Sequence, residues 1–174
     1  MKDELQKALY DKYSDLFANH NKSPQESCMH WGITCGDGWY AIIDHLCEEL
    51  TDLQEKYDIR IIFDQIKEKF GCLRVYYHIE LGLRWSQSDD VSLLDGKAEI
   101  ELVRSGWIHS GKTMPAYEGV CDLITECISK ADDFSSFTCE FCGMTGAKAC
   151  GYGWIHTLCD VCEAKRKKEQ EKEV

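Results

Sequence analysis

The sequence predicts an α+β fold, with a small antiparallel sheet packed against two or three amphipathic helices and a distinct C-terminal segment. Three observations lead there. Trp39, Ile42, Ile43, Leu46, Leu50 and Leu53 recur at helical spacing in "GWYAIIDHLCEELTDL" and form one apolar stripe. Leu73, Val75, Tyr77 and Ile79 alternate with Cys72, Arg74, Tyr76 and His78, the period of a half-buried strand. Two C-x-x-C pairs then bracket the stretch "CEFCGMTGAKACGYGWIHTLCDVC", from Cys139 to Cys162.

Leu5, Leu9, Tyr13, Leu16 and Phe17 predict an opening amphipathic helix. "SPQE" at Ser23–Glu26 has capping-box form, with Pro24 in the first helical position, and is expected to start only a short turn. Gly36 and Gly38 permit a tight turn, and Asp37 can cap the helix that starts at Trp39. Two antiparallel strands are expected at about 59–68 and 72–80, turning near Phe70-Gly71. "DQIKEKF" has mixed propensity and admits a helical alternative. "SQSDD" at 86–90 reads as a loop, and "AEIELVRSGWIHSGK" adds a strand or two with Gly106 as a turn or bulge. From Pro115, the positions Tyr117, Val120, Cys121, Ile124 and Ile128 predict another amphipathic helix, ending near "DDFSSF". "AKRKKEQEKEV" reads as a charged helical tail.

These elements divide into an acidic α+β domain at 1–137 and a metal-binding segment at 138–174. The first part holds 25 acidic and 14 basic side chains and the second holds 6 of each, so the whole formal charge of −11 sits on the first. Such a surface repels phosphate backbones at long range and suits a basic partner, unless the acidity serves only solubility. No apolar run is long enough to span a membrane, and "MKDELQKALYDKY" lacks the apolar core of a signal peptide. The expectation is a cytoplasmic protein with no membrane partner. Eleven cysteines in that setting read as reduced thiols with a metal site among them.

Cys139 and Cys142 are separated from Cys159 and Cys162 by 16 residues, the two-pair zinc pattern. Each two-residue spacer lets a knuckle aim both sulfurs at one tetrahedral ion. Gly143 follows the first pair, and "YGWIHTL" can form the strand that returns the chain to the ion. One structural Zn²⁺ in a C-terminal zinc ribbon is expected, because four thiolates leave no open position for water. So short a segment needs the ion to fold. Cys150 and His156 are possible further ligands but read better as core or surface residues.

Other constellations are weaker. Cys28, His30, Cys35 and Cys47 nominally make a second metal set but lack a paired knuckle. Asp44 and His45 are adjacent and do not share a helix face. Cys35 or Cys47 with His30 or His45 imitates a nucleophile pair, against the default of buried free thiols. In "KEKFGCLR", Lys67, Lys69, Phe70 and Arg74 would make a binding patch at the hairpin tip if Phe70 is exposed. The alternative is that Phe70 and Leu73 pack on a helix while the charges are solvated.

Taken together, "CGDGWYAIIDHLCEEL", "QIKEKFGCLRVYY" and "TCEFCGMTGAKACGYGWIHTLCDVC" resemble a group of small uncharacterised phage and prophage proteins. That group carries a G-D-G-W helix, a K-E-K-F-G-x-L-R hairpin and a C-terminal zinc ribbon. The resemblance covers most of 28–80 and 115–163 and leaves 82–114 as an insertion. It implies phage origin and the ligands Cys139, Cys142, Cys159 and Cys162, but no biochemical function. Some relatives carry histidine as the last ligand, where this chain has Cys162.

The sequence-level expectation is non-enzymatic binding to a host protein, inhibiting a bacterial defence or nucleic-acid-processing system. Trp39, Phe70, Trp107 and Trp154 are the candidate anchors if exposed, since aromatic residues dominate interface energies. One alternative is nucleic-acid binding through the ribbon, with the hairpin cations and Lys165–Lys168 on phosphate. Another is an enzyme, such as a nuclease or nucleotide-processing protein, which needs a pocket of convergent polar groups.

Overall fold

The computed structural model describes residues 1–81, 100–103, 107–108, 115–151 and 154–170, and of 81, 100–103, 107–108, 115–118 and 170 it describes only the backbone. The elements, in chain order, are α1 (Asp3–Lys12), α2 (Tyr40–Tyr57), β1 (Ile59–Lys69), β2 (Cys72–Leu81), β3 (Ile100–Val103), β4 (Trp107–Ile108), α3 (Pro115–Phe137), β5 (Lys148–Cys150), β6 (His156–Leu158) and α4 (Asp160–Gln170). The class is α+β, as expected. The loop expected at 86–90 and the turn at Gly106 lie outside the described residues, as does the side chain of Tyr117.

Strands β1 to β4 form an antiparallel meander, and β5 and β6 form a separate two-stranded ribbon. Helices α2 and α3 pack on each other, α2 also on β1 and α3 also on β2. Trp39, Ile43, Leu46 and Leu50 of the first stripe meet Val120, Cys121 and Ile124 of α3 and Ile61, Phe63 and Ile79 of the sheet in one core. Ile42 and Leu53 lie at its margin.

"DQIKEK" is strand and Phe70 begins the turn, because β1 pairs with β2 from Ile59↔Leu81 to Lys69↔Cys72. The register slips once, between Phe63 and Gln65, leaving Asp64 as a bulge. The outer edge of β1 is covered by the N-terminal segment. Phe63 N–H donates to Leu16 O at 2.8 Å, Thr34 N–H to Ile66 O at 2.9 Å and Glu68 N–H to Thr34 O at 3.0 Å. These bonds use ladder groups that would otherwise invite another strand.

One capping expectation is corrected and the other, a short turn at Ser23–Glu26, is met. Asp37 makes no side-chain cap for α2. Its carboxylate accepts from Lys2 N–H at 2.8 Å and so stands at the start of α1, where the helix dipole favours an anion. Ser23 donates to Glu26 Oε2 through both its backbone N–H and its hydroxyl. They close an isolated turn, since no apolar periodicity follows to extend it.

Candidate metal centre

The sulfurs of Cys139, Cys142, Cys159 and Cys162 all lie within 4.8 Å of one another. Among the described residues these four form the group able to hold a metal ion. The Cys142–Cys159 sulfur separation is 3.7 Å. A tetrahedron with metal–sulfur bonds of zinc length has edges of about 3.8 Å. The donor set and spacing therefore fit one tetrahedral metal.

The local chain explains the convergence. Helix α3 runs straight into the first knuckle, where Cys139 N–H donates to Met144 O and Gly143 N–H to Cys139 O, both at 2.8 Å. Gly143 takes φ 76°, a turn few other residues accept. Strands β5 and β6 return the chain, and Cys162 lies in the first turn of α4, whose dipole favours thiolate. Cys139 is fully buried and Cys142 is exposed. Burial opposes ionisation of Cys139, but backbone N–H groups of Cys159, Cys142 and Phe141 overcome it and hold the thiol at about 7. Cys162 is pushed up by burial and by the thiols of Cys142, Cys159 and Cys139. One sulfur ionises readily and another resists, the state that a cation among them resolves.

The centre is seated in the body by the glycine loop before α2. A Cβ on Gly38 would lie 2.2 Å from Cys139 O, 2.4 Å from Gly143 N and 2.8 Å from Cys142 N. Gly38 N–H donates to Glu140 O at 2.7 Å, and Gly36 N–H to Glu140 Oε1 at 3.0 Å. The other Glu140 carboxylate oxygen takes His156 Nδ1 at 2.6 Å. Trp39 Nε1–H donates to Thr138 O at 2.8 Å. The G-D-G-W sequence is thus a cradle for the first metal knuckle.

The remaining candidates separate into those at the surface and those inside. Trp39 is fully buried, which corrects its candidacy as a binding anchor: its ring is core and its N–H is spent on the knuckle. Arg74 leaves the hairpin patch, because its guanidinium pairs with Asp132 on α3 and donates to Leu73 O. Lys67 lies over the Tyr76 ring and Lys69 over the Phe70 ring. Phe70 is 66% exposed and Trp154 68% exposed, while Leu73 is buried. Trp107 belongs to β4, and its side chain lies outside the described residues.

Sequence reading missed the connectors. Glu68 binds Gly71 N–H at 2.7 Å with one oxygen and Trp154 Nε1–H at 3.0 Å with the other. Thr157 Oγ1 donates to Gly71 O at 2.6 Å. The hairpin tip and the ribbon therefore meet, and Phe70 and Trp154 stand at one corner. Glu140 between two ligands was a readable signal, since a knuckle brings the residue between its cysteines close to the backbone that seats it. Asp64 was another, as the acid that ends the apolar run Ile61–Phe63. It accepts from Asn19 at 3.2 Å and from His78 Nδ1 at 3.0 Å, beside a cleft of about 610 Å³. The nominal second sets are held apart in structural roles. His30 Nδ1 meets Lys22 O, Asp44 pairs with Lys12, His45 with Glu48, and Cys35 and Cys47 are buried.

Among the described residues, no helix is long and apolar enough to cross a membrane. Comparison with protein-family models, curated proteins and solved structures gives no match.

Proposed function

We propose that this chain is a phage-type protein that acts in the bacterial cytoplasm by binding a host protein, with one structural Zn²⁺ holding its ribbon. Binding of this kind would inhibit a defence or nucleic-acid-processing system of the host. Four thiolates fill a tetrahedral ion's coordination and suit a structural role. The acidic excess suits a partner with a basic surface.

One observation carries the reading. Phe70 adopts φ 56°, a left-handed conformation that costs a bulky residue roughly 1–2 kcal/mol. The turn type needs positive φ at both central positions, and asparagine or glycine would satisfy it more cheaply. Instead an aromatic ring is displayed there, beside Trp154, and both are about two-thirds exposed. Large aromatics placed together at a braced corner are the usual anchors of a protein interface. Nucleic-acid binding is less favoured, because Arg74 is withdrawn from the corner and the body is strongly acidic.

The test is a tagged pull-down from bacterial extract, with and without nuclease, read by mass spectrometry. The parent should retain one stoichiometric protein after nuclease treatment, and the Phe70→Ser, Trp154→Ser double variant should lose it. Partners that vanish with nuclease would favour the nucleic-acid reading. Bound metal should be zinc, one per chain, by elemental analysis of protein purified without added metal.

A further inference from the structure

Helices α2 and α3 pack side by side, yet their outer seam stays open. Ile42, Leu46 and Glu49 stand at successive turns of α2 and, with Phe134 of α3, line a shallow depression there. Phe134 is 51% exposed, and Phe137 near it is 41% exposed. Their rings meet edge to face at 5.7 Å. Paired aromatic rings left half in water mark apolar area available to another molecule.

The rim mixes charges: His45 and Lys130 line it together with Glu49, and Glu49 acts on Lys130 electrostatically without forming an ion pair. Among the described residues, no cation lies within ion-pair distance of Glu49 or of Asp133, the neighbour of Phe134. Lys130 on the same rim is already held by Glu126 at 2.8 Å. An apolar floor with unpaired carboxylates beside it selects an apolar partner that carries cations.

Building on the protein-binding reading, we propose that this seam docks a basic amphipathic helix of the partner. Apolar side chains one turn apart would cover Ile42, Phe134 and Phe137, and lysine or arginine on the flank would meet Glu49 and Asp133. A second copy of this chain is a poorer occupant, because two bodies of formal charge −11 repel.

The test uses the metal-loaded full chain and a labelled helical peptide with leucine on one face and arginine on the other. Its control carries glutamate in place of arginine. Fluorescence anisotropy should show the arginine peptide binding at least about tenfold more tightly than the control. Phe134→Ser with Phe137→Ser should weaken it by about tenfold or more. Glu49→Lys with Asp133→Lys should do the same and flatten the salt dependence; this variant tests the seam even if the serine variant fails to fold. Phe70→Ser with Trp154→Ser should leave peptide binding unchanged.

Equal binding of both peptides overturns the proposal, as does indifference to either seam variant. Loss of binding in the Phe70, Trp154 variant would place the peptide at the hairpin corner instead. A parent dimer that dissociates in the seam variants would make a second copy the occupant. If the seam variants keep the partner captured from extract while the corner variant loses it, the protein-binding reading stands and the seam fails. If no variant captures a partner but the peptide results hold, the seam stands and the reading fails.

Discussion

Gly38→Ala tests the cradle most directly. The added methyl would sit 2.2, 2.4 and 2.8 Å from three backbone atoms of the first knuckle. No flexible side chain can swing away to relieve those contacts. The knuckle must retreat by about an ångström, since ordinary carbon contacts are near 3.5–4.0 Å. That retreat strains three hydrogen bonds: Gly38 to Glu140 O at 2.7 Å, Gly36 to Glu140 Oε1 at 3.0 Å and Trp39 to Thr138 O at 2.8 Å. At roughly 1–3 kcal/mol for each buried group left unpaired, and with partial relaxation, the loss is about 3–5 kcal/mol. For a chain of this size the melting temperature should fall by on the order of 10 °C. The assay is thermal denaturation of metal-loaded protein, with zinc affinity measured by chelator competition. Gly119→Ala is the control: it lies in α3 with nothing within 4 Å of the new methyl. It should stabilise by about 0.5–1 kcal/mol through helix propensity. A Gly38→Ala protein that melts like the parent and holds metal as tightly would refute the cradle.

Three further outcomes are expected. Chelation of the metal, or Cys139→Ser, should unfold the ribbon first, since among the described residues its own buried apolar cluster is Cys139, Ala147 and Leu158; amide exchange of β5 and β6 would report it. Glu140→Ala should cost about 2–4 kcal/mol in denaturant titration, because it strands Gly36 N–H and the His156 ring, and Glu140→Gln should cost less by keeping an acceptor. His78 is held above the usual histidine value of 6.5 by its hydrogen bond to Asp64, against the effect of burial. Its contribution is therefore full below 6.5 and is lost as pH rises through the folded value. Melting temperature should decline across that window in the parent and stay flatter in Asp64→Asn.

The elements with strong periodicity were legible. The α2 stripe, the hairpin with its Phe70-Gly71 turn and the two cysteine pairs each declare themselves within about twenty residues, the range over which local pattern decides structure. What escaped depends on partners far along the chain. Arg74 looks like a hairpin cation until Asp132 arrives from α3. Trp39 looks like an anchor or a core residue with equal right, and the choice is made by Thr138. Asp37 has the form of a cap for the helix that follows it, but its carboxylate accepts from Lys2 N–H instead. The bulge at Asp64 appears in the sequence only as a break in an apolar run, and its meaning depends on Asn19 and His78.

The bond between Gly36 and Glu140 spans 104 residues, and that between Trp39 and Thr138 spans 99. The loop that precedes α2 therefore emerges from the ribosome long before its seat exists. During that interval Trp39 can join the apolar cluster but its indole N–H has no native acceptor. Closure needs α3 and the first knuckle, so the loop's native seat is completed only once the segment that carries Cys139 and Cys142 is in place. Nascent chains starved of metal should linger with an open glycine loop and an unfinished core. Cellular abundance of the protein would then follow metal supply through degradation of those chains, without any change in its synthesis.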